Sequence, residues 1–251
     1  MSWNGDSTLR LEFREISKQF GQHQALRDVS VTVADFQSLA IIGPSGGGKT
    51  TLLRIVAGLE TPEAGYLSID GQRVDFSEES LLLHRRRIGT VFQAYNLFPH
   101  LTARENVLLP LVVVHGLSRI EANEIVDTLF ERFQLSRHAE QRPAELSGGQ
   151  QQRVAIVRAI AIKPRFLIFD EPTSALDPEM TAEVLDFIAE LRGEGRDLII
   201  VTHNMGFARE VSDHCLFIAG GQVLEEGRSS SLFSRPRNPL LANFLAKVLR
   251  Y

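Results

Sequence analysis

Gly43-Pro44-Ser45-Gly46-Gly47-Gly48-Lys49-Thr50 follows the apolar run SLAII and precedes a helical pattern over residues 49–57. The stretch matches G-x-x-x-x-G-K-[ST] in full, and in the order strand, loop, helix that gives the pattern its physical meaning. Glycines let the backbone curl so that successive N–H groups and the start of the helix face one anion. Lys49 adds a point charge near the β and γ phosphates, and Thr50 offers a hydroxyl to Mg2+. The stretch therefore predicts a nucleoside triphosphate site on an α/β fold.

Working outward, apolar residues alternate in LRLEFREI (Leu9, Leu11, Phe13) and recur at Leu26, Val29, Val31 and Val33, whereas SLAIIG, RFLIFD and DLIIVTH are unbroken apolar runs. Alternation marks strands with one covered face, and unbroken runs mark strands covered on both. Helical patterns separate the central runs at 49–57, 149–162 and 179–191. Asp177-Pro178 opens the last of these, a capping carboxylate followed by proline at the first helical position. Strand and helix in alternation imply a mostly parallel sheet covered on both faces; the fold class expected for the chain adds an antiparallel part. One segment breaks the rule: from about 103 to 162 the pattern is helical with no strand, which predicts an inserted helical subdomain. Residues 231–251 read as one or two short helices.

The run Phe166–Phe169 leads into Asp170 and Glu171, placing two acids at the C-terminal end of a central strand, where α/β sheets bind ligands. Asp170 is the candidate for the Mg2+ shell, and Glu171 for a general base that polarises an attacking water. A strand-ending turn at Pro172 is the plainer alternative for the pair taken alone. Beside the phosphate loop, catalysis is the reading that uses both residues.

The 251 residues carry a formal net charge of −4 with 43% hydrophobic and 23% charged residues. That balance gives no electrostatic footprint for nucleic acid or an anionic membrane. The N-terminal MSWNGDSTLRLEF lacks a basic segment followed by an apolar run, and nowhere do about 18 consecutive apolar residues occur, so the expected location is the cytoplasm. The single cysteine, Cys215, reads as a small buried hydrophobe in CLFIA, with a nucleophile as the sharper alternative. His84-Arg85-Arg86-Arg87 reads as a charged helix end rather than a phosphate or RNA patch.

LSGGQQQR, residues 146–153, adds a second glycine pair ahead of a helical run, again a place where amides face an anion. Spacing alone does not say which anion. GPSGGGKT, Gln93 in VFQ, LSGGQQQR, RFLIFDEPTSALD and VTH occur in one order that closely resembles the nucleotide-binding subunit of ABC (ATP-binding cassette) transporters. The resemblance implies a P-loop NTPase core at about 1–95 and 163–251, with the helical signature subdomain at about 96–162. It implies a head-to-tail homodimer around two ATP molecules, in which Ser147, Gly148, Gly149 and Gln150 reach the γ-phosphate held by the other subunit's loop, Gly43 to Thr51. It further implies that Phe20 stacks on adenine, unless it is a buried strand residue, and that Gln93 contacts Mg2+ or the attacking water. By the same resemblance Asp177 crosses between the two sites and His203 contacts the γ-phosphate.

VFQAYNLFPHLTARENV and HNMGFAREVSDHCLFIAGGQVLEEG resemble the ATPases of bacterial polar amino-acid importers. Those work with an integral membrane permease and an extracytoplasmic substrate-binding protein, which places the ATPase on the inner face of the cell membrane. Asn204 stands where those importers usually carry an acid. ENVLLPL is shared with ATPases of lipoprotein-release and macrolide-efflux systems, an alternative that MGFAREVSD counts against. A soluble, non-transport ABC ATPase is the alternative of another class, and the chain has neither the second cassette nor the long coiled-coil insertion usual there.

Overall fold

The computed structural model describes residues 9–248, which form two compact units, 9–82 with 189–248, and 83–188. The sequence readings made on residues 1–8 and 249–251 lie outside the described residues. In chain order the elements are β1 Leu9–Phe20, β2 His23–Phe36, β3 Ser38–Ile42, α1 Lys49–Val56, β4 Ala64–Ile69, β5 Gln72–Arg73, α2 Glu78–Arg86, β6 Ile88–Val91, α3 Ala103–Leu109, α4 Arg119–Arg132, α5 Gly148–Ala161, β7 Phe166–Asp170, α6 Pro178–Gly193, β8 Leu198–Val201, α7 Met205–Val211, β9 His214–Ala219, β10 Gln222–Arg228, α8 Ser229–Ser234 and α9 Pro239–Val248.

In the first unit, β3 runs parallel to both β8 and β9, and β10 returns antiparallel along β9. Every residue of β3 and β8 is buried, which is what unbroken apolar runs require. A separate antiparallel sheet takes the order β2-β1-β4-β5. On β1 the inward residues are Leu9, Leu11 and Phe13, and then Ile16 rather than residue 15. The cause is a bulge: Glu15 sits at φ 52 and the register with β2 shifts between Phe13 and Ile16. The Ser30 hydroxyl accepts the Glu15 N–H at 2.8 Å, so the displaced amide keeps a partner.

Cys215 lies on β9 within a core cluster that includes Ala40, Ile42, Phe217 and Leu241. Burial, reinforced by the nearby Glu225 carboxylate, pushes its thiol far above the ordinary range. A thiol that does not ionise is no nucleophile, so the hydrophobe reading holds. The C-terminal helices expected after residue 230 are α8 and α9.

In the second unit β6 and β7 pair in parallel, from Ile88 opposite Phe166 to Val91 opposite Phe169. No strand lies between 103 and 162, as the helical pattern predicts. Thr102 with Glu105 and Ser118 with Glu121 form capping boxes that start α3 and α4. Helix α3 continues into a π-helical turn, Pro110–Val114, which ends at the glycine-containing turn before α4. Helix α2 ends on His84, Arg85 and Arg86 in its last turn, where cations complement the helix dipole.

Candidate functional site

The phosphate loop leaves β3 at Gly43, whose φ of 147° and surroundings exclude a side chain: a Cβ there would stand 2.0 Å from the Ile218 carbonyl oxygen. The loop then rises through the exposed Pro44, Ser45 and Gly46, and its curl closes where the Gly47 N–H donates to the Pro44 carbonyl at 3.1 Å. Gly48 ends the loop as the N-cap of α1 at φ 106°. No side chain caps this helix and no acid occupies its first turn, so the positive end of its dipole carries no local counter-charge from either source. Lys49 is only 4% exposed, and its ammonium donates to the Gly43 and Pro44 carbonyls at 3.0 Å each. A buried cation thus lies folded along the loop, with Thr50 and Thr51 half-buried in the first helical turn behind it. The arrangement suits a polyphosphate: a curled glycine backbone, a helix start with neither a side-chain cap nor a first-turn acid, and one lysine.

Phe20, the last residue of β1, is 44% exposed, so the buried-strand alternative falls. The Lys18 ammonium lies 5.1 Å from its ring centroid. An exposed ring of this kind has a face to offer a base.

Strand register sets the other residues. Ile41 of β3 stands opposite Val201 of β8, and two residues beyond that rung the strands deliver Gly43 and the exposed His203. In the other unit Val91 stands opposite Phe169, and the same step delivers Gln93 and Glu171. Asp170, at the end of β7, is 7% exposed. Glu171 adopts a left-handed backbone, φ 49°, which costs a non-glycine residue about 1–2 kcal/mol. The Ser174 amide and hydroxyl both donate to its carbonyl, at 3.2 and 3.1 Å, and hold the turn. Strain kept by dedicated hydrogen bonds is characteristic of working sites. Downstream of β8, the Asn204 side chain caps α7 by accepting the Phe207 N–H at 2.9 Å. An amide oxygen serves this cap as well as a carboxylate does, which accounts locally for the asparagine.

The second glycine pair starts α5. Ser147 is the N-cap; its hydroxyl accepts the Gln150 N–H, and the Gln150 side-chain oxygen accepts the Ser147 N–H at 2.8 Å, a complete capping box. Segment 176–180 and the Gln93 loop come up to this turn: a Cβ on Gly148 would stand 3.3 Å from both Leu176 Cδ2 and Tyr95 Oη. The Gly149 N–H points at Met180 Sδ, 3.2 Å away, and the Met180 N–H donates to Asp177 Oδ1 at 2.9 Å. Asp177 is therefore the cap of α6, as its position before Pro178 predicts.

Two residues absent from the sequence reading tie this unit together. Arg158, on α5, donates to the Tyr95 and Asn96 carbonyls at 2.9 and 2.7 Å, two residues held at φ 61° and 50° just after Gln93. Burial lowers the Arg158 pKa, yet a guanidinium stays charged. The fully buried Asn106 accepts the Phe98 N–H at 2.7 Å and donates back to the carbonyls of Phe98, Leu101 and Thr102, fixing the loop's far end. A lone arginine in the apolar stretch VAIVRAIAI was the available signal for the first; Asn106 left none. An apolar groove lined by Phe92, Phe98, Leu109, Pro110 and Val113 runs beside this loop, with Val113 70% exposed. Among the described residues no helix is long and apolar enough to cross a membrane, and no group of three or more His, Cys, Asp or Glu could hold a metal.

Comparison with known proteins gives one family model, described as ABC transporter, matching residues 26–174. The chain is 45% identical to the glutamate transport ATP-binding protein GluA of Corynebacterium efficiens over 94% of its own length and 98% of the relative's. It is 44% identical to the glutamine transport ATP-binding protein GlnQ of Escherichia coli, covering 95% and 99%. Among solved structures, the ATP-binding cassette MJ0796, a dimer in a post-hydrolysis state bound to ADP and Pi, superposes with a TM-score of 0.79 at 34% identity, covering 87% of this chain and 98% of that one.

Proposed function

The chain belongs to the ABC transporter family, and from that premise we propose that it binds and hydrolyses ATP to drive uptake of a polar amino acid through a permease made of other chains. The observation that carries the ATPase reading is the phosphate loop itself, where Lys49 lies buried along glycine backbone at an uncapped helix start. The amino-acid reading is supported by relatives whose transport roles concern glutamate and glutamine and which match nearly end to end.

In this proposal ATP stacks its base on Phe20 and lays its phosphates along Gly43, Pro44, Ser45, Gly46, Gly47, Gly48, Lys49, Thr50 and Thr51. Mg2+ would be held by oxygens of Thr50, Asp170 and Gln93 together with the phosphates, and it would neutralise charge on the transferred group. The donor set fits: hard oxygens, few carboxylates and no cluster of three acids or histidines among the described residues. Glu171 takes a proton from the attacking water, with Gln93 and His203 orienting it. Ser147, Gly148, Gly149 and Gln150 meet the γ-phosphate on a second copy of the chain, and Asp177 lies between the two sites of the head-to-tail dimer. Closure around two ATP molecules is the step that the membrane subunits read, through the Gln93 loop and the apolar groove beside it. The functional division proposed is a nucleotide core, 1–95 and 163–251, and a helical subdomain, 96–162. A permease, an extracytoplasmic substrate-binding protein and a place on the inner membrane face complete the assembly; nucleic acid is not among the partners.

The test is Glu171→Gln. ATP binding should persist while turnover falls by about 10²–10⁴-fold, the usual weight of a general base, and ATP should now hold the chain as a dimer. In cells lacking the protein, the native chain should restore uptake of a labelled polar amino acid and the variant should not. Undiminished hydrolysis would remove Glu171 from its role, and unaltered uptake of every amino acid in the deletion strain would remove the substrate class.

A further inference from the structure

The capping box at α5 has an outer shell that the family motifs do not include. The Ser147 N–H donates to Gln150 Oε1 at 2.8 Å, and an N–H can donate only to the oxygen of that amide. The orientation of the Gln150 side chain is thereby fixed, and its NH2 faces His138 Nε2 at 3.1 Å. Nε2 must then be the lone-pair nitrogen, so the ring proton sits on Nδ1, which donates to Gln141 Oε1 at 2.7 Å. Each assignment follows from the one before, and only one tautomer satisfies all three contacts.

The platform beneath the ring is firm. Residues Ser136–His138 form a 3-10 turn, the Gln141 N–H donates to the His138 carbonyl at 3.1 Å, and the Ala139 and Gln141 carbonyls accept the Arg104 and Ala103 amides at 2.9 and 2.8 Å at the start of α3. His138 is half-buried and belongs to neither of the glycine-bearing motifs.

We propose that His138 is a positioning residue: as the Nδ1–H tautomer it holds the Gln150 amide, and through it the Ser147 turn, in the geometry that meets ATP on the second subunit. This rests on the proposed cross-subunit role of residues 147–150. Without an acceptor at the His138 position, the Gln150 side chain loses one of its two anchors and the turn closes on the nucleotide less often.

The experiment uses the full chain in the Glu171→Gln background, adding His138→Leu, His138→Lys or His138→Gln. Leucine offers no acceptor, lysine a permanent donor, and glutamine an oxygen close to where Nε2 stood. Fluorescent ATP-analogue binding reports the phosphate loop, and sedimentation with ATP reports dimerisation. The leucine and lysine variants should bind nucleotide unchanged but need about tenfold more protein to dimerise, the weight of about one hydrogen bond; with Glu171 intact, kcat should fall by a like factor at constant KM. The glutamine variant should recover to within about twofold. Equal dimerisation by all three would overturn the proposal, as would a glutamine variant no better than leucine. Nitrogen-15 imidazole spectra of the otherwise native chain give an independent reading: an Nδ1–H tautomer is expected, and an Nε2–H tautomer overturns the relay. If the Glu171→Gln parent itself stays monomeric with ATP, the cross-subunit reading fails, and the tautomer still decides whether the relay exists.

Discussion

Helix α1 starts at a glycine with no side-chain cap and no acid in its first turn, on a loop whose lysine is buried against carbonyls. Helix α5 also starts at glycines, yet its N-cap serine and third-position glutamine satisfy each other, and the Gly149 amide is turned to a methionine sulfur. The first start has no side-chain cap, which suits it to an outside anion. The second spends part of its own donors on itself, so the phosphate proposed to meet it would supplement an existing cap. Two glycine-bearing helix starts thus differ in kind: one has no side-chain cap of its own, and the other is already closed by a reciprocal capping box.

The widest gap between them should come from removing one polar group from each. Lys49→Ala should abolish nucleotide binding by the isolated chain and lower turnover by at least about 10²–10³-fold, since a lone cationic donor to the phosphates is lost. Ser147→Ala should leave nucleotide binding by the isolated chain intact and weaken only ATP-dependent dimerisation, with about 1 kcal/mol of stability lost with the cap. Titration with a fluorescent ATP analogue, beside sedimentation, separates the two. Equal loss of monomer binding in both variants would erase the distinction.

The glycines sharpen the same contrast sterically. An alanine at Gly43 would put its Cβ 2.0 Å from a backbone oxygen of β9 at a φ that side chains avoid, and backbone cannot swing aside. Gly43→Ala should therefore destabilise by about 1–3 kcal/mol or more, read as a lower urea midpoint. At Gly149 the obstacle is the flexible end of Met180, 2.9 Å away, and alanine gains about 1 kcal/mol of helix preference over glycine. Gly149→Ala should sit near zero on the same scale. A midpoint shift as large as that of Gly43→Ala would mean the second turn is as tightly built as the first.

How far the sequence reached follows the same line. Strands β3, β7 and β8 were legible because burial on both faces leaves an unbroken apolar run, and the loop between β3 and α1 because its glycine-rich spacing fits a turn between a strand and a helix. Asp170 and Glu171 were legible from their place at a strand end. The bulge at Glu15 was not, since a one-residue slip in β1 leaves no compositional mark and is stabilised by a serine fifteen residues away. Arg158, Asn106 and His138 act through contacts that span 62, 8 and 12 residues respectively. Such partners are set by tertiary packing, which spacing along the chain does not encode. The second glycine pair lies between these cases: its helix start was readable, whereas the partner proposed for it rests on a family resemblance, because a capped helix start does not by itself say what else it meets.

A third helix start supplies the smallest effect and the cleanest control. Asn204 caps α7 through a neutral amide oxygen, so this terminus is satisfied without charge, unlike α1, and without a reciprocal box, unlike α5. Asn204→Asp keeps the accepting oxygen and adds a negative charge at the positive end of the helix dipole. The expected gain is about 0.3–1 kcal/mol at low ionic strength, seen as a small rise in the urea midpoint that shrinks as salt is added. Because hydrogen bonding is nearly equal for the two side chains, any gain that survives high salt would have to come from something other than the dipole. An acid in the first turn of α1 would instead repel the phosphates proposed to lie along it. The same added charge therefore helps where the chain has closed its own helix start and harms where it has left one open.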